Sequence, residues 1–140
     1  MAKKYKLGYT TGVYDMFHIG HLNILRRAKE QCECLVVGVT TDALSLLRKG
    51  KTPIICEADR MAIVGAIRYV DRVVPQPDMD KLAAVKALGA DVVFVGSDWK
   101  GTDAWNKYEA EFAAVGCDVV YLDHTDGISS TILRDRMNEK

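Results

Sequence analysis

The chain has 140 residues, 49% of them hydrophobic and 27% charged, enough for one domain with its own core. Its 19 basic and 19 acidic residues cancel, which excludes a general attraction to nucleic acid or to an acidic membrane, so any bound anion must be held by a local cluster. No apolar run approaches the roughly 20 residues that cross a bilayer, and the basic start Met1–Lys6 is not followed by the apolar stretch and cleavage site of a signal peptide. Cys32, Cys34, Cys56 and Cys117 are too sparse for a disulfide scaffold and lack a second ligand pair at finger-like spacing. They read as reduced thiols of a cytoplasmic protein.

In chain order, Leu7–Val13 predicts a strand and a helix follows from Ile19–Gly20 to about Cys32. Cys34–Thr40 is the second strand; its apolar residues run without alternation, as in a sheet covered on both faces. Glu57–Tyr69 predicts a helix, with Met61, Ile63, Val64 and Ile67 near one face. Arg72–Pro75 is a short strand, and Asp78 is the expected cap of a helix ending at Gly89. Val92–Gly96 is the fourth strand, about Ala104–Val115 a helix closed by Gly116, and Cys117–Leu122 the fifth strand. Ser129 or Ser130 can cap a last helix running toward Asn138.

Strands separated by helices of this length predict a single doubly wound, Rossmann-like domain over 1–140: an α/β fold with a five-stranded parallel sheet, helices on both faces and right-handed crossovers. Ligands of such sheets sit at the carboxyl ends of the strands. The informative loops therefore follow Val13, Thr40, Val95 and Leu122.

The first loop, Gly12-Val13-Tyr14-Asp15-Met16-Phe17-His18-Ile19-Gly20-His21, leads from a strand into a helix. A helix start offers unpaired N–H groups and partial positive charge, a seat for phosphate. His18 and His21, three residues apart, share one side of the first turn, and Gly20 permits close backbone approach. Two imidazoles there can donate to one phosphate and stabilise the charge that shifts during phosphoryl transfer. A solvated helix cap and a zinc pair are the competing readings.

In the last loop, His124-Thr125-Asp126-Gly127-Ile128-Ser129-Ser130-Thr131, a glycine turn precedes hydroxyl residues at a helix start. On the residues alone, helix capping and anion binding both stand.

The first loop resembles the HxGH signature of a nucleotidyltransferase superfamily, and the last is similar to the RTEGISTT string of its cytidylyltransferase branch. The order and spacing of motifs resemble that branch from Leu7 to Met137, nearest to the compact glycerol-3-phosphate cytidylyltransferases. The resemblance implies that His18 and His21 bind the triphosphate and stabilise the pentacoordinate α-phosphorus. It also implies that Gly12, Val13, Tyr14, Asp15, Gly20, Thr125, Gly127, Ile128, Ser129, Ser130 and Thr131 surround the nucleotide. His124 replaces the branch's Arg, exchanging a permanent charge for a group that can be neutral.

The middle of the chain adds supporting matches. Arg48-Lys49-Gly50-Lys51 supplies three cations in four residues, which a solvated basic loop also would. By resemblance, Lys51 meets the β- or γ-phosphate, and Arg48 meets the acceptor phosphate or its neighbour. Arg60 joins them at the acceptor, Arg68 lies in an RYVD-like element near the nucleotide and a dimer contact, and Asp98-Trp99 resembles a GxDW segment near the base. Lys81 falls close to an acceptor-contacting lysine of the glycerol-3-phosphate enzymes.

The resemblance thus implies CTP bound with Mg²⁺, without a dedicated protein metal site, in a cytoplasmic homodimer. A phosphorylated alcohol, best matched by glycerol 3-phosphate, would attack the α-phosphorus in line. Its phosphate, with a second pKa of about 6, needs no general base. Another polyol or amino-alcohol phosphate, an adenylyltransferase on the same fold, and a non-catalytic nucleotide sensor are the alternatives.

Overall fold

The computed structural model describes residues 4–123 and 130–137. β1 (Tyr5–Gly12), β2 (Cys32–Thr40), β3 (Arg72–Gln76), β4 (Val92–Gly96) and β5 (Asp118–Leu122) form one sheet in the order β3-β2-β1-β4-β5. Every pairing in it is parallel. The order reverses between β1 and β4, so the crevice that such a sheet offers to ligands opens where those two strands end.

The helices are α1 (Ile19–Gln31), α2 (Asp42–Lys49), α3 (Glu57–Gly65), α4 (Lys81–Leu88), α5 (Asp103–Ala113) and α6 (Ser130–Met137). Two apolar cores explain the unbroken hydrophobic run of β2. Leu35, Val37 and Val39 pack with Leu25 and Ala28 of α1 and Val64 of α3. Val36 turns the other way, to a core holding Val85 of α4 and Trp105 and Phe112 of α5. Both faces are covered, so alternation with polar residues would bury unpaired groups.

Three local expectations are corrected. The segment after β2 is not loop until Lys51; it forms α2, where Thr41 Oγ1 accepts from Leu44 N and Gly50 closes the helix at φ 75°. Exposed Leu46 and Leu47 hid its amphipathic period. The helix from Glu57 ends at Gly65 rather than Tyr69, and the chain continues in tight turns with Ile67 N donating to Val64 O and Val70 N to Ile67 O. Asp80, not Asp78, caps α4 by accepting from Ala83 N, while Asp78 accepts from Asp80 N.

Candidate active site

Beyond β1 the backbone makes a tight passage. Tyr14 and Met16 have φ of 55° and 49°, which costs non-glycine residues energy and is held here by what Asp15 does between them. The buried Asp15 carboxylate accepts from Ile54 N and Ile55 N, both at 2.9 Å, tying the loop before α3 to the histidine loop. Tyr14 turns into the core, and a Cβ on Gly12 would come within 2.9 Å of its ring. Tyr14 and Asp15, expected to contact nucleotide, thus shape the loop from below: both are buried, one by apolar packing and one by backbone amides.

His18 is the N-cap of α1. Its Nδ1 accepts from Gly20 N at 3.0 Å, and His21 Nδ1 accepts from His18 N at 3.2 Å, a capping box built of imidazoles. A neutral imidazole has one acceptor and one donor nitrogen. With both Nδ1 atoms accepting, both protons are placed on Nε2. His18 Nε2 is buried and has no hydrogen-bond partner among the described residues. The amide of Gly20 is engaged by His18, so this glycine serves the cap rather than presenting a spare donor.

Burial lowers the pKa of His18. Burial, then the neighbouring His18, carries His21 down to about 4, with Asp15 opposing weakly. Both rings are therefore neutral donors near neutral pH.

On the α4 and α5 side of the sheet a cavity of about 500 Å³ opens at the strand ends. Its floor comes from Thr11, Gly12 and Val13 after β1, Thr40 after β2, Gln76 after β3 and Val95 of β4. Arg48 and Lys49 of α2 and Lys81 of α4 bring three cations to it, and Met79, Trp99, Trp105 and Tyr108 form its apolar wall. The buried Lys81 Nζ donates to Thr11 Oγ1 at 2.8 Å and lies 5.8 Å from the centre of the Trp105 ring. Burial, followed by repulsion from Arg48, lowers its pKa to about 8.

The structure thus brings Gly12, Val13, Arg48, Lys81 and Trp99 to one cleft, with Asp98 exposed beside Trp99 in a 3-10 turn over Ser97–Trp99. Several expected residues are elsewhere. Arg60 is 0% exposed, and its guanidinium donates to the carbonyls of Ile55, Val13 and Thr40 and to Asp42, so it cannot meet an acceptor. Lys51 is exposed and outside the cavity wall; its carbonyl accepts from Ser45 Oγ. Arg68 follows α3 in an exposed turn, 5.8 Å from the Tyr69 ring, and does not line the cleft. His124, Thr125, Gly127, Ile128 and Ser129 lie outside the described residues, and Ser130 and Thr131 are described only as the start of α6.

Sequence reasoning missed Thr11, Thr40, Gln76, Trp105 and Tyr108. The first three end strands at the carboxyl edge, a signal that topology alone supplies. The two aromatics come from α5 and carried no such mark.

Imidazoles capping a helix and a cationic cleft at the carboxyl edge of a parallel sheet define a phosphate-handling α/β enzyme. The cytidylyltransferase-like family model matches residues 9–136, and the chain belongs to that family of nucleotidyltransferases. Glycerol-3-phosphate cytidylyltransferases of Staphylococcus aureus and Bacillus subtilis are each 35% identical to it, over 132 and 129 residues. Those alignments cover 94% and 91% of this chain and 94% of each relative. The bifunctional protein HldE of Caulobacter vibrioides is 34% identical over 98% of this chain, which spans 28% of that protein. Among solved structures, the lipopolysaccharide core biosynthesis protein of Thermoplasma volcanium aligns with a TM-score of 0.71 at 27% identity, covering 86% of this chain and 97% of that one.

Proposed function

We propose that this nucleotidyltransferase transfers CMP from CTP to glycerol 3-phosphate, giving CDP-glycerol and pyrophosphate. The observation that carries the reading is the pair of neutral imidazoles, each with its Nε2–H outside the capping bonds, at the helix start that follows β1, while the cleft at the strand ends, whose lining does not include them, holds three cations. The names of the Staphylococcus aureus and Bacillus subtilis relatives, aligned over most of the chain, support CTP as donor and glycerol 3-phosphate as acceptor.

In this reading a phosphate oxygen of the acceptor forms a bond to the α-phosphorus. The bond from that phosphorus to the bridging oxygen breaks, and its electron pair leaves with pyrophosphate. An acceptor phosphate with a second pKa of about 6 is largely dianionic near neutral pH, so no side chain has to remove a proton. The work left to the protein is to place two anions together and stabilise the charge that shifts. His18 and His21 donate to the triphosphate oxygens, and Arg48, Lys49 and Lys81 offset the charge of the acceptor phosphate. The Gly127–Thr131 segment, by its likeness to the RTEGISTT string, holds the nucleotide.

Mg²⁺ enters as a proposal on the nucleotide. Among the described residues no three His, Cys, Asp or Glu side chains gather into a metal cage, and Mg²⁺ is commonly held by phosphate oxygens and water with few carboxylates. Bound there, it would neutralise triphosphate charge. The reading also takes the protein to be a cytoplasmic homodimer; among the described residues no helix is long and apolar enough to cross a membrane.

The test is a parallel assay of CTP and ATP with glycerol 3-phosphate and Mg²⁺. CDP-glycerol by mass spectrometry, with pyrophosphate in equal amount, is the expected result. Product from ATP alone would reassign the protein to adenylyl transfer, and binding without pyrophosphate release would make it a sensor.

A further inference from the structure

Thr40 and Gln76 face one another across the β2–β3 ladder. Both are buried, and Thr40 Oγ1 donates to Gln76 Oε1 at 2.9 Å. The Thr40 hydroxyl can serve either end of the amide, so it is the Met79 contact that orients it. Turned over, it would set the carbonyl oxygen against the Met79 sulfur, two acceptors face to face. The amide nitrogen instead approaches Met79 Sδ at 3.7 Å. A thioether is a weak acceptor and an amide nitrogen carries two hydrogens, so a strong donor is left under-used in the wall of the cavity that both residues line.

The charges in the cavity lining itself are one-sided, the carboxylates of Asp78 and Asp80 lying outside it on either side of Met79. The wall holds Arg48, Lys49 and Lys81, and among the described residues it holds no Asp or Glu. Such a wall receives a phosphate well. An ammonium group on the rest of the acceptor would meet three like charges and no carboxylate in the wall, and one of its three aromatic rings, Trp105, already faces Lys81 Nζ. A neutral hydroxyl meets neither objection.

We propose that Gln76 is a specificity-determining residue that donates to a hydroxyl of the acceptor, so that the cavity selects phosphorylated polyols over phosphorylated amino-alcohols. This rests on the cytidylyl-transfer reading above. Neither Gln76 nor Thr40 stands in a recognisable motif; the sheet register brings them together.

Steady-state kinetics with CTP, comparing glycerol 3-phosphate and phosphoethanolamine, tests it. The wild-type protein should prefer glycerol 3-phosphate by about 100-fold in kcat/KM, the scale of one buried polar group left unsatisfied. Gln76→Leu should raise KM for glycerol 3-phosphate about five- to tenfold, the equivalent of one lost hydrogen bond, and leave KM for CTP unchanged. Gln76→Glu keeps the shape and the Thr40 bond, so it carries the test if the leucine variant does not fold. It supplies the missing anion and should narrow the preference over phosphoethanolamine about tenfold. Equal wild-type use of the two acceptors would overturn the inference and leave cytidylyl transfer standing. So would an unchanged KM for glycerol 3-phosphate in Gln76→Leu, or equal rises in both KM values, which would mark a purely structural role. No pyrophosphate from the wild type with CTP and any phosphorylated alcohol would overturn both.

Discussion

The rings of His18 and His21 stack with centroids 3.9 Å apart and 24° between their planes. Neutral imidazoles tolerate that approach, and two imidazolium ions would repel one another. The same two rings cap α1, so each has a structural and a chemical duty that mutation can separate. His18→Ala and His21→Ala should each lower kcat about 10²- to 10³-fold, the scale of one lost transition-state donor. His18→Ala should also cost about 0.5–2 kcal/mol of stability through the lost cap. Asn caps helices well, so His18→Asn should regain the urea midpoint and remain slow. Near-normal pyrophosphate release from both alanine variants would remove the imidazoles from the mechanism.

The depressed pKa of the pair makes folding sensitive to acid. His21 falls from an ordinary 6.5 to about 4, by burial first and the nearness of His18 second. Below 6.5 the unfolded chain takes up a proton that the folded ring refuses, so the unfolded state gains as pH falls. The stability contributed by a neutral His21 is thus full above 6.5 and is lost progressively toward 4. Urea midpoints measured across that window should drop more steeply for the wild type than for His21→Asn. Parallel curves would show that His21 is not the titrating group.

Lys81 has the same linkage sign at the alkaline end, but there stability and activity part company. Its pKa is lowered from 10.5 to about 8 by burial and then by Arg48. As pH rises through about 8 the free enzyme loses the ammonium that would meet the acceptor phosphate, so kcat/KM for glycerol 3-phosphate should fall. Between about 8 and 10.5 the unfolded chain binds more protons than the folded one, so stability should rise over the same window. Activity falling while stability rises is the expected signature. An acceptor profile that stays flat to the alkaline limit of folding would exclude Lys81 from the acceptor site.

What could be read from the sequence followed periodicity and fixed spacing. The five strands and the fold class came through because buried parallel strands leave unbroken β-branched runs, and the histidine loop came through because its residues are neighbours in the chain. Eight-residue α2 did not, since exposed Leu46 and Leu47 blur its apolar face. The cavity wall was legible only in part. Thr40, Gln76 and Trp105 are separated by dozens of residues and meet through β2–β3 pairing and the packing of α5, neither of which has a local signature. Arg60 misled for a related reason: a cation three residues into a helix looks the same in sequence whether it meets a ligand or four groups of its own protein.

Arg60 is therefore the sharpest test of the scaffold. Its guanidinium reaches Ile55 O at 2.8 Å, Val13 O at 2.8 Å, Thr40 O at 2.7 Å and Asp42 Oδ1 at 2.6 Å, all from a fully buried position. It thereby joins the exits of β1 and β2 to the start of α2 and the approach to α3. Asp42 and Glu57 reinforce the joint by accepting from one another's backbone N–H. Arg60→Met would leave the carbonyls of Ile55, Val13 and Thr40 without this donor, while half-exposed Asp42 keeps Glu57 N–H and solvent, and should cost about 3–5 kcal/mol in urea unfolding, on the order of 1–3 for each buried acceptor left unsatisfied. Arg60→Lys keeps the charge but replaces a planar fork with a single ammonium that cannot span four acceptors, so most of that loss should remain. The variants should also raise KM for the acceptor, because Thr40 and α2 position Gln76 and Arg48. If Arg60→Lys instead kept wild-type stability while raising only the acceptor KM, Arg60 would be a substrate contact and this account of the joint would be wrong.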